Sequence, residues 1–510
     1  MDRDTNKIRG ILFALFYSIL SITFLWIILL NIKTNITHYQ SAFWLSLIMI
    51  AIAIVFIKKT NFSKVIIDGT RKNEFLLISI LFLISTIITI YIGLETRVEF
   101  LWDFGRVQYN AYHIAKTGNY LSTEYFARYP NNNMILLISV VIYKFLFLIF
   151  PNRDINFMYN FMIFLNCLLI NLSILLTYKS MKILWNSKVS LLATLAMYLT
   201  TPILFYGQLF YTDTVGLFFI SLILFLYIKS INSKNIANKL VLLSLTGVFI
   251  SIGYRFKAFA IIIAVAIIID LLMKKIHLKQ KFIQLGVFIF FLIMTLSITT
   301  LMFNQSMPVT EKEKEEYQFP LVHWVMMGVN TQNDGGFSID DYKHSLSISG
   351  YENKKKSEIS RIKQRVSDFG PSGLMKFLFV TKLSRTWANG SMMVQYYGSL
   401  GGLTDSFLQK EVYSRNGSFY NKFQNYFQIG ILIILFGIFI GSLLFNSRNI
   451  NVDFVNISIF GLMLFELIWE CNARYIYCFI PLFIISATNG FVTFKNFVRG
   501  GKRVKRHSKT

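Results

Sequence analysis

Four short stretches of this chain carry side chains able to move a proton or hold an anion. The first is Trp102-Asp103-Phe104, with Arg106 and Tyr109 following. A carboxylate between aromatic rings is partly desolvated, which raises its pKa and suits it to general-base work; Asp is also a favoured N-cap, and Asp103 at the start of a helix from Phe104 to Lys116 is the competing explanation. The second is Tyr211-Thr212-Asp213-Thr214, between two apolar runs. Acids at a membrane boundary are costly and often functional, with capping of a helix from Thr214 as the alternative. The third and fourth are basic: Arg255-Phe256-Lys257 and Arg474-Tyr475. Arginine grips phosphate oxygens through a planar fork and lysine acts as a point charge, so these stretches suit a phosphate or diphosphate; snorkelling toward lipid headgroups is the competing reading. Arg106, Arg128, Lys382 and Arg385 enlarge the basic set.

Other chemistries lack their usual support. The chain has no GxxxxGK[ST] loop, HExxH, CxxC pair or GxSxG elbow, which removes the sequence case for nucleotide hydrolysis, zinc hydrolysis and serine-hydrolase catalysis. The histidines His38, His113, His277, His323, His344 and His507 do not pair at ligand spacing. No cofactor is assigned, and a divalent metal is left open. Cys167, Cys471 and Cys478 sit in or beside apolar segments and read as small core residues.

The elements that must position these groups are membrane helices. Of 510 residues, 54% are hydrophobic and only 15% charged, against about 25% charged in soluble proteins, which excludes an ordinary soluble enzyme. Apolar runs near 10–31, 41–57, 75–94, 134–150, 158–178, 189–206, 214–230, 240–254, 258–273, 282–302, 425–445, 453–470 and 474–494 are suited to crossing a hydrocarbon core about 30 Å thick. The formal net charge is +25, and with these runs its natural partner is a lipid bilayer, not nucleic acid.

Basic clusters orient the crossings, because cytoplasmic loops collect Lys and Arg. They occur at Lys58–Lys72, Lys179–Lys188, Lys229–Lys239, Lys274–Lys281 and Lys495–Lys509, and all five are expected in the cytoplasm. An even number of crossings must then separate residues 65 and 183, so one of three candidates does not span. The segment 134–150 is short and carries Lys144; it is expected to be interfacial or re-entrant. The result is an all-α polytopic membrane protein with about twelve transmembrane helices and both termini cytoplasmic. Residues 1–74 form two N-terminal crossings and a basic loop, 75–302 a catalytic membrane module, 303–424 an extracytoplasmic cap, 425–494 the last crossings and 495–510 a basic tail. Loop 95–133, turn 207–213 and the cap share the outer face. Positive charge on that face runs against the orientation bias and needs a cause.

Trp102-Asp103, Tyr129-Pro130-Asn131-Asn132, Tyr211-Thr212-Asp213 and Arg474-Tyr475 together resemble bacterial integral-membrane glycosyltransferases of type C (GT-C) architecture, over roughly residues 75 to 490. Relatives of that class include protein O-mannosyltransferases and the lipid A aminoarabinose transferase. The resemblance implies a GT-C-like bundle, a polyprenyl-phosphate sugar as donor at the outer face, Asp103 as catalytic base, and Asp213 as a later acid that positions substrate or binds metal. The expected reaction is glycosyl transfer, with inversion, to an extracytoplasmic acceptor: a cell-envelope polymer, a glycolipid or a protein. Donor phosphate is expected on Arg255, Lys257 and Arg474, with further substrate contacts from Arg106, Tyr109, Arg128, Asn131, Tyr211, Lys382 and Arg385. A flippase or transporter of lipid-linked sugars, or an envelope polysaccharide polymerase or ligase, are the alternatives; gathering of the candidates at one face favours an enzyme over a transporter.

Overall fold

The structure, a computed structural model, describes residues 3–33, 44–49 and 62–507. Most of the expected crossing at 41–57, and Lys58 and Lys59, lie outside the described residues. The rest is helical, with one isolated bridge between Val98 and Gly402. Among the described residues ten helices are long and apolar enough to cross a bilayer, from Lys7–Asn31 to Ala473–Val498. Ala260–Met273 is a shorter apolar helix, and Ser187–Thr200 ends at Thr201 in extended conformation and is followed by the 3-10 turn Ile203–Tyr206. Large apolar side chains are exposed along the helix flanks, among them Phe75, Ile87, Phe290 and Leu301. In water this would be a heavy cost; in hydrocarbon it is the favoured arrangement. The chain is an all-α, multi-pass membrane protein.

Polar contacts between helices fix which ends lie together. At one end, Glu74 holds Lys182 at 2.6 Å and accepts from Tyr178, Asn451 donates to Asn232 at 3.2 Å, and Lys274 pairs with Asp270 at 3.1 Å. Three of the basic clusters gather here. At the other end Arg97 donates to Asn160 at 3.3 Å, Tyr159 donates to the carbonyl of Gln208 at 3.0 Å, and Lys257 meets Asp213 at 2.6 Å. Between them Ser85 donates to Asn171 at 2.6 Å, so Asn73–Glu95 and Ile155–Leu184 run antiparallel.

The helix Asn133–Ile149 is one of the ten by length and composition, yet its contacts differ from those of its neighbours. It lies beside Trp102–Thr117: Tyr143 donates to Gln108 at 3.1 Å, and the Phe147 ring stands 5.3 Å from Tyr112. Just before it, Asn132 touches Tyr125 and Tyr211; just after it, the Arg153 carbonyl accepts from Tyr112 at 3.0 Å. Both of its ends therefore lie at the Arg97–Asn160 end of the bundle.

Above that end sits the polar segment 303–424. Its helices Val322–Gly328, Ile339–Leu346 and Tyr351–Lys376 pack around a buried polar centre. There Asp341 accepts from Arg365 at 2.7 and 2.9 Å and from Asn330 at 2.8 Å, while His323 is bonded to Ser345, which donates to Glu358. Buried charges last in a fold when paired and hydrogen-bonded, and this cluster sits beside buried apolar residues of the same segment, among them Phe319, Met326 and Met327.

Candidate functional site

Asp103 is delivered by a strained entry into its helix. Trp102 takes φ 46°, in the left-handed region that non-glycine residues avoid and that clusters at functional sites. At Gly105 a Cβ would fall 2.0 Å from the Phe100 carbonyl oxygen, so only glycine allows the chain to fold back this tightly. The helix spans Trp102–Thr117 with Leu101 as its N-cap; Asp103 lies in the first turn and is not the cap. Its carboxylate accepts from the Tyr125 hydroxyl at 2.7 Å, that hydroxyl accepts from Asn132 at 2.7 Å, and Asn132 accepts from the Tyr211 hydroxyl at 2.9 Å. Burial pushes the Asp103 carboxyl above its ordinary range, outweighing the downward pull of the Tyr125 hydrogen bond and of Arg474 and Arg106.

Asp213 has a different setting. Tyr211 caps the helix Thr212–Ile231, and Asp213 in its first turn meets Lys257 Nζ at 2.6 Å and Arg474 Nε at 3.3 Å. Lys257 is the residue that ends Ile236–Phe256, and its ammonium also sits 4.7 Å from the centre of the Tyr475 ring. Arg474 is packed over Tyr397 at 4.2 Å and Trp102 at 5.2 Å. Its Nη1 is buried without a hydrogen-bond partner among the described residues, while its Nε meets only the Asp213 carboxylate. Unsatisfied buried donors cost about 1–3 kcal/mol each, more when charged, so this guanidinium is held at a cost that its carboxylate partner only partly offsets.

A cavity of about 1230 Å³ opens between the bundle and the 303–424 segment. Asp103, Arg106, Asn131, Tyr211, Arg255, Lys257 and Arg474 all line it. Arg128 and Arg385 also reach it, but Arg128 is paired with Glu124 and donates to Tyr342 at 3.2 Å, and Arg385 lies 3.9 Å from Asp334. Arg255 turns from Lys257 toward the helix Leu278–Ser306, donating to the Leu296 carbonyl at 2.9 Å and to Thr299 at 3.1 Å.

Three of the expected site residues are not on the cavity wall. Asp213 is nearly buried and pairs with Lys257 and Arg474; a carboxylate held by two cations has no free access to a substrate proton. Tyr109 packs its ring 5.2 Å from Phe100 and is otherwise exposed on the far side of its helix. Lys382 is buried and spends its ammonium on the carbonyls of Gly328, Leu467 and Trp469 at 2.8, 2.8 and 2.7 Å. With three donors on three carbonyls, it ties helix ends together and offers nothing to a substrate.

Sequence reasoning also passed over residues that the cavity uses. Glu470 is only 6% exposed and lines it, with the Tyr475 hydroxyl at 3.4 Å; burial pushes its carboxyl up to about 7, against the pull of Arg474. The signal was available, since Glu470 stands at the end of an apolar run as Asp213 does at the start of one. Tyr125 and Asn132 were missed because neutral side chains carry no charge signal. Among the described residues no three His, Cys, Asp or Glu side chains gather closely enough to hold a metal ion.

Fold and cavity thus define a multi-pass helical membrane protein with a large cavity at one end of its bundle. The chain belongs to the family described as conserved hypothetical integral membrane proteins, whose profile matches residues 3–493. No curated protein matches it in sequence. Among solved structures it is similar to the crystal structure of ArnT from Cupriavidus metallidurans bound to undecaprenyl phosphate, at 11% identity and a TM-score of 0.31, over 81% of this chain and 77% of that one.

Proposed function

We propose that this protein is a membrane glycosyltransferase that moves a sugar from a polyprenyl-phosphate donor to an acceptor hydroxyl at the outer face of the cell membrane. The observation that carries the reading is Arg474: a nearly buried guanidinium with an unmet donor, on the wall of the same cavity that Asp103 lines. An anion answers the first and a hydroxyl proton the second, and glycosyl transfer from a lipid phosphate supplies both.

In this reading the donor phosphate binds Arg474, with Lys257 adding positive potential and Arg255 standing toward the lipid side. Asp213 keeps Lys257 and Arg474 in place. Asp103 takes the proton of the acceptor hydroxyl as its oxygen attacks the anomeric carbon; the bond from that carbon to the phosphate oxygen breaks, and the phosphate leaves with the electron pair onto the cations. One displacement inverts the anomeric configuration. The parallel pair Trp102–Thr117 and Asn133–Ile149 lies along the outer interface, supported by the contacts that bring both ends of the second helix to the cavity end. Both termini and the basic clusters are cytoplasmic.

The test is binding and turnover in lipid nanodiscs. Undecaprenyl phosphate should bind and undecaprenol, lacking the phosphate, should not; Arg474→Ala should weaken phosphate binding about 100-fold, as loss of a buried charged partner does. Equal affinity for the phosphate and the alcohol would sink the proposal. Turnover is read by mass spectrometry as undecaprenyl phosphate released from an undecaprenyl-phosphate hexose when cell-envelope material supplies the acceptor.

A further inference from the structure

We infer that Glu470, with the stacked indoles of Trp324 and Trp469, holds the glycosyl ring of the donor, an inference that rests on the lipid-phosphate reading of Arg474. The phosphate oxygen is bonded to the anomeric carbon, so the ring begins one bond from whatever Arg474 grips and must lie against the wall beside it. On one side of Arg474 the wall is Trp102, Tyr211 and Tyr397, whose ring faces are taken by the guanidinium itself at 5.2, 5.8 and 4.2 Å. On the other side the segment joining Ile450–Ile468 to Ala473–Phe479 brings Trp469 and Glu470 to the cavity. Trp469 stacks on Trp324 with ring centres 5.6 Å apart and planes 5° from parallel, and both line the cavity without being fully buried.

A pyranose has an apolar C–H face and a rim of hydroxyls. A rigid indole matches the face, and a carboxyl set beside it matches the rim. Of the acids lining the cavity, Glu124 is engaged by Arg128 and Asp103 by Tyr125. Among the described residues Glu470 has the Tyr475 hydroxyl at 3.4 Å as its one hydrogen-bond partner, beyond the length of a good O–H···O bond, so it keeps acceptor capacity for a ligand. With its carboxyl near 7, both protonation forms are present at neutral pH, and the group can accept from one sugar hydroxyl or donate to another.

The experiment separates sugar from phosphate in binding, with turnover blocked by Asp103→Asn. Affinities are measured in nanodiscs for undecaprenyl phosphate and for its glucosyl, mannosyl and galactosyl derivatives. At least one hexosyl lipid should bind about ten-fold more tightly than the bare phosphate, one hydrogen-bonded contact set being worth roughly that factor. Glu470→Met and Trp469→Leu should each erase that preference without weakening undecaprenyl phosphate binding, which also certifies that the variants are folded. If the parent binds all four lipids equally, or if both variants keep the preference, the sugar subsite is wrong while the phosphate reading stands. If the parent fails to bind undecaprenyl phosphate, the donor reading itself fails, and this inference falls with it.

Discussion

Asp103 and Asp213 occupy almost the same local position, each in the first turn of a helix at the cavity end of the bundle, with an aromatic residue one position before the first and two before the second. Their partners differ. Asp103 keeps one neutral hydroxyl and a face on the cavity; Asp213 is closed in by Lys257 and Arg474. Those cations arrive from other helices, so local sequence is the same kind of signal at both acids and the tertiary pairing decides which can take a proton. The pair divides the labour of the site: one acid is kept poorly solvated and free, the other is consumed in holding the groups that meet the anion.

The sharpest way to break this contrast is to remove each charge in turn. Asp103→Asn should lower glycosyl transfer roughly 1000-fold, within the range of general-base contributions, while undecaprenyl phosphate binding and the thermal midpoint in detergent hold. A carboxyl raised by burial gains nothing from being charged in the fold, so its neutral isostere is not expected to destabilise. Asp213→Asn should do the reverse in stability: leaving Lys257 and Arg474 without their carboxylate costs about 3 kcal/mol, read as a lowered unfolding midpoint. Adding Lys257→Met to Asp213→Asn should recover part of the loss, since one stranded cation is then gone. Equal stability losses at Asp103 and Asp213 would erase the distinction.

The legible and illegible parts of the molecule divide along physical lines. Hydrocarbon demands long apolar helices, and that demand is written locally, so most crossings could be read from runs such as 214–230 and 425–445, which the helices Thr212–Ile231 and Tyr420–Leu443 match closely. The same local logic marked Asp103, Arg255, Lys257 and Arg474 as charges out of place, and all four line one cavity. Lys382 shows the limit. Its charge sat in a plausible basic stretch, but three carbonyls from distant helix ends claim it, and nothing near residue 382 announces them. Glu470 is the converse case: its importance comes from being enclosed beside Arg474 and the indoles, which depends on how the last two crossings meet the 303–424 segment.

A smaller effect tests how Asp103 is kept free. Tyr125 donates to it at 2.7 Å and is itself oriented by Asn132, which is held by Tyr211. The hydrogen bond stabilises the ionised carboxylate and pulls its pKa down, while burial pushes it up. Tyr125→Phe removes the pull, so the pKa should rise further. The base works only when ionised; the acidic limb of kcat/KM should therefore move to higher pH, with a loss of about five-fold at pH values below the limb, the value of one hydrogen bond of roughly 1 kcal/mol. At pH well above the limb the variant should regain most of its rate, because Asp103 is ionised there with or without the hydroxyl. A profile that is flat in Tyr125→Phe but shifted in Asp213→Asn would show that Asp103 is not the base.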